Sequence, residues 1–475
     1  MKKPSFLLVG IVLMSIILFA SFRNKKLTAE YVGYTLNSTN SCVCTTFDTI
    51  YFQGNVPHDS GVLPNQTTAN CFAWKEFIAL NWPTDLSASF GNPNSKSLVA
   101  WETYMTKEVL LPPNGQAPPP WGSKHIILNK SNSHKRVLMH SSKFTNFSDT
   151  ITVSETGQAA PGNAPNWLGA HNNTNVWYEV LVNKDEYDYI TDPKHQFYNA
   201  DKQLSWTQSG KQIHLPQGNN ANDTIGAMEI KAAWMELSDP PTVDVDRYKT
   251  SEAILLDPIT GKQRTAAIAL IGLHIIHKTV SQPTWIWATF EHIDNVPLST
   301  DSPSSGSYNL YDVSCTNKTM KIPAAYSKTK TDTTVTINCN DANVSPPYYL
   351  GLNGPEPTQI QVKRETPLDP QSINVNTTVQ TAIKKYYPNS VFQYYELVDV
   401  IWSSNPTYDQ DQPDKTPLKL TSMNPNNNVA NSSMETFAQA SQCIDCHKFA
   451  SIAGKRKNAS DFSFVLSSAT SPVQD

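Results

Sequence analysis

The stretch Cys443-Ile-Asp-Cys446-His447 puts two thiols three residues apart and an imidazole directly after the second. That is the spacing of covalent c-type haem attachment. On a helix, positions i, i+3 and i+4 share one face. Cys443 and Cys446 can therefore each form a thioether to one porphyrin, while His447 offers a ring nitrogen to the iron as its proximal ligand. A Cys-x-x-Cys pair also serves redox dithiols and zinc. A redox dithiol is expected beside a βαβ pattern, whereas this motif stands in the last few dozen residues. Zinc requires a second ligand pair at matching spacing, and the chain has no second Cys-x-x-Cys and no His-x-His.

The 28 residues after His447 contain neither Met nor His, so a second axial ligand has to come from upstream, or the sixth position is open. His274 and His277 lie in Gly272-Leu-His-Ile-Ile-His-Lys-Thr279. On a strand they point to opposite faces, so only one of them can meet the same iron. His292, in Trp285-Ile-Trp-Ala-Thr-Phe-Glu-His292, and Met423 are further candidates for the distal ligand or the pocket; Met434 stands too close to the proximal side. Each has a plainer reading, as a hydrogen-bonded core histidine or a packing methionine. Trp285 and Trp287 read either as porphyrin-edge or as core aromatics. Glu229 and Glu291 read either as possible acids or, more plainly, as solvated strand carboxylates. Gly-x-Ser-x-Gly, phosphate-loop and His-Glu-x-x-His patterns are absent, so hydrolase and nucleotide chemistry lack support.

These residues must be positioned by a large body. The chain has 475 residues, 16% of them charged, a net charge of −4 and 33 prolines. The near-balanced charge gives no argument for nucleic-acid binding. Eleven Trp, nineteen Tyr and seventeen Phe supply a core. Residues 1–26 carry Met-Lys-Lys, an apolar run from Phe6 to Phe22, and then Arg23, Lys25 and Lys26. This is an export signal, either cleaved or retained as an inner-membrane anchor; the flanking charges favour the anchor. The remainder is then periplasmic or envelope-associated, where disulfides form. Cys315 with Cys339 is the preferred pair, and Cys42 or Cys44 with Cys71 the second, although sequence does not fix connectivity.

Patterning predicts an α+β, mainly β fold: an antiparallel, sandwich-like core, a few peripheral helices and a C-terminal haem-binding segment. Residues 27–120 form a helical and loop region, with helices over 68–82, ended by Pro83, and over 98–110. Residues 121–420 form the β-rich core. Strands are expected over 124–129, 136–141, 176–182, 227–237, 252–257, 265–278, 284–292 and 392–402. Asp257-Pro258-Ile-Thr-Gly-Lys262 signals a hairpin. Residues 298–360 read as an insertion stapled by Cys315 and Cys339, and 371–388 as a helix. In the last segment, 421–475, Ser432 and Glu435 have capping-box spacing, which predicts a helix starting near Met434 and running to the cysteines.

Two blocks resemble a family of bacterial exported cytochrome c family proteins, a group without a well-defined activity. One is Ser441-Gln-Cys-Ile-Asp-Cys-His-Lys-Phe-Ala450 followed by Ser460-Asp-Phe-Ser-Phe464; the other is Gly272–Thr279 with Trp285–Pro297. The helix Cys71-Phe-Ala-Trp-Lys-Glu-Phe77 is also similar. The resemblance implies one covalent haem c on Cys443 and Cys446 with His447 as proximal ligand, and it implies no substrate. Electron transfer with a redox partner protein or a small-molecule donor or acceptor is the first expectation. A haem-dependent peroxidase or oxidase with an open iron site is the second, and a haem-based sensing module the third.

Overall fold

In the computed structural model the described residues are 52–472, without 124–126, 129–133, 139–167, 171–173, 257–261, 304, 325–326, 328–330, 345–360, 407–413, 421 and 425–428. The apolar N-terminal run, Cys42 and Cys44 lie outside them. Among the described residues no helix is long and apolar enough to cross a membrane.

The strands are β1 (Met105–Thr106), β2 (Ile127–Leu128), β3 (His134–Leu138), β4 (Val176–Val182), β5 (Met228–Glu236), β6 (Thr250–Leu256), β7 (Gln263–His277), β8 (Ile286–His292), β9 (Lys318–Ile322), β10 (Thr333–Ile337), β11 (Tyr395–Ser403) and β12 (Met423–Asn424). All but β9 and β10 belong to one ten-stranded sheet, antiparallel throughout except for the β3–β6 pair. The α+β, mainly β reading therefore holds. Its axis is β7, whose near-continuous apolar run suits a strand covered on both faces. The first half of β7 pairs with β6, from Leu256↔Gln263 to Thr250↔Ala269. The second half pairs on the same edge with β8, from Gly272↔Glu291 to His277↔Ile286. The other edge pairs with β5. The sheet thus forks at β7, one branch passing to β3 and β2, the other to β11 and β12. The hairpin expected at 257–262 is formed by β6 and β7; its turn lies outside the described residues.

The fork coincides with a bulge. Ala233 pairs with Gly272 and Trp234 with Leu270, so Ile271 is the extra residue. A bulge reverses the in–out alternation beyond it. Before it, Ile268 and Leu270 face the helices; after it, Leu273 and Ile275 do. His274 and Ile276 consequently face the other way.

One face of the sheet is covered by α1 (Gln66–Leu80) and, between short α2 (Lys107–Leu110), α3 (Lys184–Thr191) and α4 (Ala200–Gln208) in sequence and the tail, by α5 (Pro370–Tyr386). Helix α1 is buried nearly all round, and its polar residues Gln66, Asn70 and Glu76 are buried with it. It packs Phe72, Trp74 and Phe77 against Leu273, Ile275 and Phe290, and Trp74 Nε1 donates to Asn376 Oδ1 of α5 at 2.9 Å. The opposite face is covered by the C-terminal segment, whose Ile444, Ile452, Phe462, Val465 and Leu466 pack on Val180, Val182, Ile276, Trp287 and Ile401. The layers are thus helix, sheet and C-terminal segment. Within the insertion, β9 and β10 form a hairpin, and Cys315 and Cys339 are joined with Cα atoms 5.8 Å apart. Cys71 is also disulfide-bonded, to a residue outside those described.

The tail packs closely on the sheet at Gly272: a Cβ there would lie 2.2 Å from Ser433 Oγ, 3.2 Å from Asn431 Oδ1 and 3.3 Å from Met434 Cε. Gly272→Ala is expected to lower stability by about 1–3 kcal/mol, the usual range for overpacking, in denaturant unfolding; a change below about 0.5 kcal/mol, the size of a neutral surface change, would mean the tail is not held there.

Candidate functional site

The tail reaches the sheet through buried polar contacts. Asn431 Nδ2 donates to the Phe290 carbonyl at 2.7 Å and to Thr289 Oγ1 at 3.0 Å. Ser432 donates to Glu291 Oε2 from its backbone N–H at 2.9 Å and from its hydroxyl at 2.8 Å. Arg364 is ion-paired with the other oxygen of Glu291 and donates to the Ala430 carbonyl at 3.3 Å. Tyr178 donates to the Ser433 carbonyl at 2.7 Å. Glu291 is only 2% exposed, so it is an anchor and not a solvated strand carboxylate. These contacts also explain why no helix begins at Met434: residues 431–441 form turns. Ser432 spends both its donors on Glu291, and Glu435 accepts from Asn431 N–H at 3.0 Å, a bond one residue away from a capping box.

The helix at the motif is the single turn α6, Cys443–His447. Its start is fixed by Asp445, whose Oδ2 accepts from Gln442 N–H at 3.0 Å. Ile444 turns inward and is buried, which leaves Cys443, Cys446 and His447 on the wall of a cleft. The opposing wall is the sheet, through His274, Ile276, Trp287 and Thr289. The two thiols are not joined to one another. Burial, and then the nearby Glu435 carboxylate, push the Cys443 thiol far above its ordinary range.

His447 is held by its back nitrogen. Nδ1 donates to the Phe462 carbonyl at 2.7 Å, and the ring packs against Phe464 at 5.1 Å and Trp287 at 6.2 Å between centroids. This is the kind of bond that fixes the tautomer and orientation of a ligating imidazole. The carbonyl is aimed by two consecutive left-handed residues, Asp461 (φ 58°) and Phe462 (φ 64°). Neither is glycine, so each is a strained backbone position of the kind that gathers at functional sites.

Of the sequence candidates for the distal side, the structure brings His274 to the cleft. Its Nε2 lies 3.2 Å from Glu435 Oε2. The others are elsewhere. His277 is buried on the helical face, where Nδ1 pairs with Glu76 and Nε2 meets the Ile225 carbonyl at 2.9 Å. His292 is stacked on Tyr248 with ring centroids 4.0 Å apart; its Nδ1 accepts from Asp294 N–H and its Nε2 donates to the Arg247 carbonyl, both at 3.1 Å. Met423 pairs with Ser403 at the end of β11 and does not line the cleft, and Met434 is buried against β4, β5 and β7. Trp287 lines the cleft, whereas Trp285 donates to the Asp461 carbonyl at 2.7 Å.

A covalent porphyrin at this place would be held by Cys443 and Cys446, with His447 on the iron. One further observation fits such a group. The buried Trp287 Nε1–H, on the cleft wall, has no hydrogen-bond partner among the described residues. A buried orphan donor costs about 1–3 kcal/mol, and a porphyrin carboxylate is an acceptor of the right kind. Among the described residues no group of three or more His, Cys, Asp or Glu is gathered as a protein-only metal site. Phe462, Asp461 and Glu435 belong to the site and were not signalled by residue type alone. Comparison with protein-family models, with curated proteins and with solved structures returns no match for this chain.

Burial lowers the pKa of His292 from 6.5 to about 3. The folded state therefore keeps His292 neutral while the unfolded chain protonates it, and stability is lost as pH falls from about 6.5 toward 3. In denaturant unfolding, wild type is expected to lose up to about 1.4 kcal/mol per pH unit more than His292→Phe over that window; equal slopes would refute the assignment.

Proposed function

We propose that this chain is an exported c-type haem protein that carries one electron at a time in the bacterial envelope. The single observation that carries the reading is the Nδ1–H bond from His447 to the Phe462 carbonyl beside two thiols that are not joined in a disulfide. A haem bound there supplies the one-electron couple. The residues of the chain do the rest: Cys443 and Cys446 tether it, His447 Nε2 ligates from the tail, and His274 stands on the sheet wall as the residue to complete the coordination. Ile276 and Trp287 exclude water from the cleft, and Trp287 Nε1–H is available to a propionate. Burial and hydrogen bonding of this kind set a haem potential.

One observation favours a second reading, a haem enzyme with an open iron face. His274 is paired with Glu435, and an imidazole–carboxylate pair beside an open coordination position suits proton transfer to a small bound molecule.

The purified exported protein is expected to carry its pigment through acid–acetone extraction and to show a low-spin, six-coordinate optical spectrum. Cys443→Ala with Cys446→Ala should release the pigment, and His274→Ala should convert the spectrum to high spin. A high-spin wild type that binds cyanide or carbon monoxide readily would favour the second reading, and a mature mass without a tetrapyrrole would end both.

A further inference from the structure

Behind the cleft lies a group of buried carboxyls that ligation does not use. Glu229 of β5 is 7% exposed, and Glu186 of α3 is 0% exposed. Glu229 is the cross-strand partner of Ile276, a cleft residue, and Ile276 in turn is the partner of Trp287. Three neighbouring strands therefore carry Glu229, Ile276 and Trp287 in one row, with strand spacings of about 4.8 Å. Glu186, on α3, interacts with the Glu229 carboxyl of this row. Neither of its oxygens meets a hydrogen-bond donor among the described residues. The Glu229 carboxyl lies within interaction range of it, and two carboxyls can bond one another only when one of them keeps its proton. Burial, followed by the Glu229 charge, holds the Glu186 carboxyl well above the usual carboxylate range.

The other charged groups facing Glu186 do not remove the need for that proton. Lys278 is committed to an ion pair with Asp461, whose Oδ2 also accepts from Leu215 N–H at 2.6 Å. Asp461 adds to the repulsion on Glu186 and Lys278 only partly offsets it. Asp185, next along α3, accepts from Gly226 N–H at 2.9 Å and faces away. His214, on the far side of Asp461, is held toward its neutral form by burial. Asp461 immediately precedes Phe462, whose carbonyl takes the Nδ1–H of His447. The carboxyl pair thus reaches the back of the proximal histidine through Lys278 and Asp461, and reaches the cleft through Ile276.

Resting on the haem reading above, we propose that Glu186 and Glu229 form a buried proton-binding site that takes up one proton from solvent when the haem iron accepts one electron from an external one-electron donor, and releases it on reoxidation. The charge balance is simple. Reduction removes one unit of positive charge from the cleft, and the proton returns one to the adjoining carboxyl pair. Two charges about 10 Å apart in a partly buried setting interact strongly enough to change a proton affinity by roughly tenfold. The chain then moves an electron and a proton together, and its donors and acceptors are of the class that exchanges both, such as quinols or dithiols.

The test is an optical redox titration of the haem-loaded protein across the neutral pH range. The wild-type midpoint is expected to fall as pH rises, by about 59 mV in total for a tenfold change in proton affinity. Glu186→Gln and Glu229→Gln should each flatten the slope and leave the haem spectrum unchanged. Asp188→Asn, an exposed change on the same helix, should keep it. Redox-difference infrared spectra of the wild type supply a readout that survives misfolding of either variant: a carboxylic-acid carbonyl band should appear on reduction. A flat wild-type midpoint, a slope retained in both glutamine variants, or the absence of that band would overturn the proposal while leaving the haem reading in place. Absence of a thioether-linked haem would overturn the reading on which it rests.

Discussion

The site depends on a buried charge being fully compensated. Glu291 sits inside the interface between the sheet and the C-terminal segment, where an isolated carboxylate would be strongly disfavoured. Arg364 from the insertion side and two donors from Ser432 satisfy it. Because Glu291 and its two partners come from three separate parts of the chain, none of the three can shift alone without leaving a charge or a donor unmatched. The result is a tail with little regular structure of its own that is nonetheless seated in one register. His447, Cys443 and Cys446 inherit their positions from that seating, and the α6 turn needs to be only five residues long.

Several elements were legible in the sequence because they rest on local rules, whereas the helix expected over 98–110 is instead a tight turn at Ala100–Thr103, a two-residue strand and the short helix Lys107–Leu110. The apolar run of β7, the apolar face of α1 and the turn residues between β6 and β7 each specify one conformation. The Cys315–Cys339 staple was also legible, as was the placement of His274 and His277 on opposite faces. The motif itself was legible because its spacing fits one helical turn.

What escaped was set by partners far away in sequence. Which histidine faces the cleft follows from the bulge at Ile271, and one extra residue in a long apolar strand leaves no compositional trace. The capping-box spacing of Ser432 and Glu435 was a sound local signal that lost to tertiary demand, since Glu291 and His274 claim the same side chains. Glu229 and Glu291 read as solvated because alternation implies one wet face; here the tail covers that face. The role of Phe462 is carried by its carbonyl and by two left-handed φ values, neither of which a side-chain pattern encodes.

The fork at β7 has a bearing on the order in which the molecule is assembled. Every residue that the sheet gives to the cleft precedes Ser403, and every residue on the facing wall follows Val429. Chains emerge from the ribosome N-terminus first and fold largely in that order. The scaffold can therefore be finished while the two thiols still hang free in solution, open to any enzyme that must reach them, and the last docking step then shuts them in.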